Sequence, residues 1–113
     1  MKFITSLTAA KEKLASSSSE FVKLFEHGTL EVELYQPNKI DKQQPHTRDE
    51  VYVVVAGEGT FFYDGERQYF KSGDVIFVPA QIEHRFETFT DDFLTWVFFY
   101  GPEGGEEVNT PCE

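Results

Sequence analysis

Residues 73–87 read Gly73-Asp74-Val75-Ile76-Phe77-Val78-Pro79-Ala80-Gln81-Ile82-Glu83-His84-Arg85-Phe86-Glu87. Ile82, His84 and Phe86 share one parity, and Glu83, Arg85 and Glu87 share the other. Side chains alternate across a strand, so this segment has one apolar face and one charged face. His84 is the misfit, an imidazole on the apolar face. A buried imidazole needs a partner, and a core hydrogen bond, a carboxylate or a metal ion all qualify. Just upstream, Val75 to Val78 is a short buried strand that stops at Pro79.

A second stretch has the same character. Gln44-Pro45-His46-Thr47-Arg48-Asp49-Glu50 runs directly into the apolar run Val51 to Val55. In an extended chain Gln44, His46 and Glu50 project from one face, and Asp49 faces away. An imidazole and a carboxylate spaced in this way converge on one point, with a Gln amide oxygen beside them. Tyr52 shares their parity and either lines the same space or belongs to the core. Glu50 is alternatively a strand-start carboxylate paired with Arg48 or Arg85, and Gln44 alternatively a plain loop amide.

Working outward, short strands follow one another closely. They cover Phe21 to Phe25, residues 29–35, Val51 to Val55, Thr60 to Tyr63, Arg67 to Phe70, Val75 to Val78, His84 to Phe89 and Phe93 to Tyr100. Asp64-Gly65 between two of them is a two-residue hairpin signal, because a type I′ turn needs positive φ. In residues 29–35 Leu30, Val32 and Leu34 face one way and Glu31 and Glu33 the other. One helix is expected over residues 5–15, capped by Thr5 or Ser6, with Leu7 and Leu14 on one face. Eight or nine short strands and one helix predict an all-β sandwich or barrel. The expected organisation is an N-terminal helix and linker (1–19), a barrel (20–100) and an acidic, loosely held tail (101–113).

The two quoted segments, taken together, resemble the paired motifs of the cupin superfamily. These are double-stranded β-helix barrels of the jelly-roll type. The first cupin motif has His-x-His, then Glu four residues after the second His, then Gly. Here His46, Glu50 and Gly57 match, and Gln44 stands at the first His place. The second motif has Gly, five residues, then Pro-x-Gly-x-x-His. Here Gly73, Pro79 and His84 match, Gln81 replaces the inner Gly, and Thr88 stands where the family has Asn. The likeness is greatest to small single-domain bacterial cupins. It implies one divalent metal ion per subunit, held by His46, Glu50 and His84 with Gln44 as the fourth ligand. Two imidazoles and a carboxylate favour Fe2+, with Ni2+, Mn2+, Zn2+ and Co2+ as alternatives. The implied activity is dioxygenase-like oxidation of a small organic substrate, with Glu50 as ligand or proton acceptor. Metal-dependent isomerisation and non-catalytic binding or sensing of a small molecule are the alternatives.

Composition narrows the partners. The 113 residues carry 10 Lys+Arg against 20 Asp+Glu, a formal charge of −10. Such a chain repels phosphate backbones and anionic lipid surfaces, so nucleic acid and membrane are not expected partners. The single cysteine, Cys112, forms no internal disulfide and builds no CxxC zinc or redox motif. Met1 to Ala10 lacks the continuous apolar core of a signal peptide, which leads to the expectation of a cytoplasmic protein. Val51, Val53 and Val55 face away from the proposed site, and Phe93 to Tyr100 is apolar on both faces. That surplus of apolar surface predicts a homodimer.

Overall fold

The computed structural model describes residues 3–107. Helix α1 (Leu7–Ala15) precedes eight strands: β1 (Phe21–His27), β2 (Leu30–Tyr35), β3 (Asp49–Ala56), β4 (Glu58–Tyr63), β5 (Glu66–Lys71), β6 (Val75–Val78), β7 (His84–Phe89) and β8 (Leu94–Tyr100). They form two antiparallel sheets in the orders β1-β2-β8-β3-β6 and β5-β4-β7. The mostly β architecture with a short N-terminal helix is the one expected.

Local signals explain the joints. Ser6 caps α1, its Oγ accepting the Ala9 amide at 3.1 Å. Asp64 and Gly65 both take positive φ, 46° and 91°, and turn β4 into β5. Gly59 has another reason to be glycine. It is already inside β4, and a Cβ there would lie 1.9 Å from the Thr88 carbonyl oxygen of β7. The sequence reading placed residues 57–59 in a turn, but the turn is confined to Gly57, with φ 92°.

Between the sheets lies an aromatic core. Phe86 touches Tyr52, Phe61 and Phe93 with ring centroids 4.8, 4.9 and 4.5 Å apart. A second cluster sits on the outer face of the larger sheet, where Ala10 and Leu14 of α1 cover Leu34 and Leu94 and pack against Val55 and Trp96. The helix thus hides part of the apolar surface that the sequence reading assigned to a second subunit. Val75 and Phe77 of the edge strand β6 stay exposed.

Register places the two glutamates of β2. Glu33 pairs with Val97, which pairs with Tyr52, and Glu31 pairs with Phe99, which pairs with Glu50. Directly paired residues share a face, so Glu31 and Glu33 lie on the inner side of the sheet. The aliphatic side of β2 meets the helix instead. Residues 101–106 are also more closely held than a loose tail. Gly104 donates to the Thr47 carbonyl at 2.6 Å, and Glu106 donates its amide to Asp49 Oδ2 at 2.9 Å. No helix among the described residues is long and apolar enough to cross a membrane.

Candidate metal centre

Three elements bring three side chains together. Glu50 is the second residue of β3, paired with Val78 of β6 and Phe99 of β8. His84 opens β7, in the opposite sheet. His46 lies in the loop entering β3, which is fixed where the Gln81 amide donates to the His46 carbonyl at 2.7 Å. Glu50 and His84 are fully buried, and the His46 side chain is 29% exposed. Glu50 Oε1 lies 2.8 Å from His84 Nε2 and 3.5 Å from His46 Nε2. One donor atom from each residue falls within a 4.8 Å span.

Proton bookkeeping makes the cluster unusual. His84 Nδ1 lies 2.8 Å from the Ile82 carbonyl oxygen. A carbonyl only accepts, so Nδ1 carries the hydrogen and the neutral ring aims a bare Nε2 at a carboxylate oxygen. Glu50 Oε1, Glu50 Oε2 and His84 Nε2 are all buried with no hydrogen-bond partner. Buried polar atoms are almost always satisfied, and three orphans at one point call for a positive charge. A second proton on His84 supplies one, and a bound cation supplies one that serves all three atoms.

The electrostatics agree. Burial is the largest influence on His84 and lowers its pKa. The hydrogen-bonding reach of Glu50 and the Ile82 carbonyl, with the charges of Glu50 and Asp41, outweigh it and leave the ring above its ordinary value. His46 is lowered by burial, and His84 adds to that against the pull of Glu50.

The separations around Glu50 Oε1 suit a divalent ion. Ligand bonds of about 2.1 Å meeting at angles between square and tetrahedral put neighbouring donor atoms about 3.0–3.4 Å apart. The two separations from Glu50 Oε1, 2.8 and 3.5 Å, bracket that range.

The other expected members fall elsewhere. Gln44 is exposed. Gln43 is the residue beside the cluster, its Oε1 3.0 Å from His46 Nε2 and accepting the Tyr52 hydroxyl at 2.9 Å. Counting parity back from β3 picked Gln44 because it assumed an extended chain, and residues 41–46 are irregular. Neither arginine pairs with Glu50. Arg48 reaches the Thr29 carbonyl and Glu31, and Arg85 lies near Glu83. Tyr52 is fully buried, and its hydroxyl is pushed well up by burial and by Glu50 and Asp41, so it is a proton donor. Asp49 faces away, as its parity requires, and accepts the Ala80 and Glu106 amides. His27 is exposed, and Cys112 lies outside the described residues.

The sequence reading missed Asp41, which is buried under the Gln43 loop. A charged residue in a polar, irregular stretch carries no periodicity to reveal it. Access is from the His46 side. A cleft of about 260 Å³ is lined by Glu31, His46, Thr47, Arg48, Phe99 and Glu103.

Residues 31–100 match the family model of the cupin domain. The chain belongs to the cupin domain family. That stretch contains all three clustered residues. A relative from Streptomyces coelicolor, an uncharacterized protein, is 31% identical over 91 residues, covering 79% of this chain and 87% of its own. Among solved structures, a Photorhabdus luminescens protein is similar with a TM-score of 0.70, at 14% identity and 89% coverage of both chains. A cupin 2 conserved barrel domain protein from Salinispora arenicola is similar at TM-score 0.62 and 19% identity, with 72% of this chain and 74% of its own covered. A putative mannose-6-phosphate isomerase from Ralstonia eutropha also scores 0.62, at 22% identity, with 77% of this chain and 89% of its own covered. At these identities the structures share the cupin barrel with this chain. The cluster His46, Glu50 and His84 sits inside that barrel.

Proposed function

We propose that this cupin binds one divalent metal ion in its barrel through His46, Glu50 and His84, and that it acts on a small organic molecule there. The observation that carries the reading is the trio of buried, unpartnered donor atoms on Glu50 and His84. Two imidazoles and a carboxylate leave coordination positions open and favour Fe2+, with Ni2+, Mn2+, Zn2+ and Co2+ as alternatives. Bound there, the ion supplies Lewis acidity and, as iron, redox chemistry with dioxygen.

The chain's own residues set the rest. The cleft beside His46 admits a small molecule past Phe99 and Arg48. The Arg48 guanidinium stands 5.9 Å from the Phe99 ring centre and is anchored to the Thr29 carbonyl and Glu31, so it forms a fixed charged edge of the opening. Phe99 packs edge-on to His46 at 4.9 Å and fixes the ring's tilt. The aromatic wall of Tyr52, Phe61 and Phe86 keeps water from the inner side. Glu50 uses Oε1 toward the imidazoles, and Oε2 is left to hold a proton taken from the substrate.

The test starts with purification without chelator and a count of bound metal. Oxygen uptake of the iron-loaded protein is then measured with catechols, flavonols and thiols. Stoichiometric metal with turnover supports oxygenase chemistry. Stoichiometric metal without turnover replaces it with a binding or sensing module. A preparation that neither holds metal nor takes it up overturns the reading.

A further inference from the structure

We infer that Gln43 is the fourth donor of the metal site, a neutral amide oxygen whose direction is set by the buried carboxylate of Asp41. The inference rests on the metal-binding reading above. Asp41 is 6% exposed and accepts four hydrogen bonds. The Tyr35 hydroxyl (2.7 Å) and the Gln43 amide N–H (3.1 Å) meet Oδ1. The Gln43 side-chain Nε2 (2.9 Å) and the Phe86 amide (2.8 Å) meet Oδ2.

A carboxylate has about four lone-pair sites, so Asp41 is saturated and acts only as an acceptor. That settles which way the Gln43 side chain points. Turned over, its oxygen would face Asp41 Oδ2 across 2.9 Å, acceptor against acceptor. Oε1 is therefore committed to the other side, where the Tyr52 hydroxyl donates to it at 2.9 Å and His46 Nε2 stands 3.0 Å away.

His46 Nε2 is also the ring nitrogen 3.5 Å from Glu50 Oε1. When that nitrogen gives its lone pair to an ion it carries no hydrogen, and its bond to Gln43 is lost. Two lone pairs, one on nitrogen and one on oxygen, then stand side by side 3.0 Å apart. That is the spacing of neighbouring ligands about 2.1 Å from a shared ion at a right angle. One cation satisfies both. Three donors become four, and the fourth is a neutral oxygen one residue before the place where the family's motif has its first imidazole.

Co2+ is the probe, read by calorimetry and by its visible absorption on metal-stripped protein, with circular dichroism to confirm folding. Wild type takes up one Co2+ per chain. Gln43→Leu, of similar size without the oxygen, weakens Co2+ binding tenfold or more and changes the absorption band. Gln44→Ala matches wild type in both. Asp41→Asn leaves every proposed ligand in place but sets a donor against either the Gln43 backbone N–H or its Nε2, and it weakens binding roughly tenfold, as loss of a ligand-orienting partner does. Should Gln43→Leu fail to fold, Gln43→Asn, which withdraws the oxygen by one methylene, gives the same comparison. Wild-type affinity and spectrum in the Gln43 variants, or an equal loss in Gln44→Ala, overturns the inference and leaves the three-residue site intact. Absence of Co2+ binding by wild type overturns the site and the fourth donor together.

Discussion

Asp49 and Glu50 are neighbours in the chain with opposite circumstances. Asp49 points outward and is satisfied, accepting the Ala80 amide on Oδ1 and the Glu106 amide on Oδ2, both at 2.9 Å. Glu50 points inward and neither of its oxygens has a hydrogen-bond partner. One step along a strand separates a carboxylate that holds loops together from one held in reserve.

Glu50→Gln should therefore stabilise the metal-free protein. The amide keeps the shape, removes a buried unpaired oxygen charge, and offers an N–H to His84 Nε2. A gain of about 1–3 kcal/mol is expected, the cost of leaving such a group unsatisfied. Scanning calorimetry with and without metal checks this. The variant should melt higher than stripped wild type and gain nothing from added ion.

Asp49→Ala should do the reverse. It leaves two amides without acceptors and frees both the Pro79–Gln81 turn and the segment after β8. A loss of about 1–3 kcal/mol is expected in urea titrations. Hydrogen exchange should rise at Ala80 and Glu106 before it rises in the aromatic core.

Metal affinity should depend on pH in a set direction. His84 titrates above its ordinary 6.5, because Glu50 and the Ile82 carbonyl outweigh burial. The ion needs Nε2 bare, so it competes with that proton. Affinity is level at high pH and falls about tenfold per unit once the pH drops below the raised pKa of His84. The fall thus begins above 6.5. His46, lowered chiefly by burial, adds a second proton only at lower pH and steepens the slope there. Titrations of Co2+ between pH 5 and 9 read this directly. A fall that begins only below 6.5 would exclude proton competition at His84.

Two glycine substitutions should differ sharply. At Gly65 nothing lies within 4 Å of an added Cβ, and the cost is only that of positive φ, about 1–2 kcal/mol. At Gly59 the Cβ would meet the Thr88 carbonyl at 1.9 Å and force β4 from β7. Gly59→Ala should lose more than about 3 kcal/mol, beyond ordinary overpacking. Thermal melts of the two variants side by side decide the point.

The exposed pair on β6 carries the expectation of a dimer. Val75 and Phe77 are 67% and 51% exposed on an edge strand, beside Val51 and Val53 of β3. Light scattering should give twice the chain mass, and Phe77→Glu should return it to a monomer. A wild-type monomer would set the idea aside.

The strands and the site were legible to different depths. His84 was visible because the alternation from Ile82 to Glu87 left one polar residue on an apolar face. Glu50 followed from its shared parity with His46 four residues earlier and from its match to the Glu of the cupin motif. Gln43 and Asp41 were not visible, since parity counting assumes an extended chain and residues 41–46 are irregular. The inward face of Glu33 was hidden for a different reason. Its strand alternates as expected, but period-two patterning does not say which face meets the barrel, and here α1 claims the aliphatic one. Its carboxyl is accordingly raised by burial, with Glu31 adding to the effect.

The clasp between Gly104, Glu106 and the Thr47–Asp49 stretch would make the surroundings of an ion held at His46 adjustable from a distance. A substitution after β8 changes how firmly the His46 loop is seated without touching any donor atom. Variation there would thus tune the grip of the proposed site in small steps while the inner cluster stays constant.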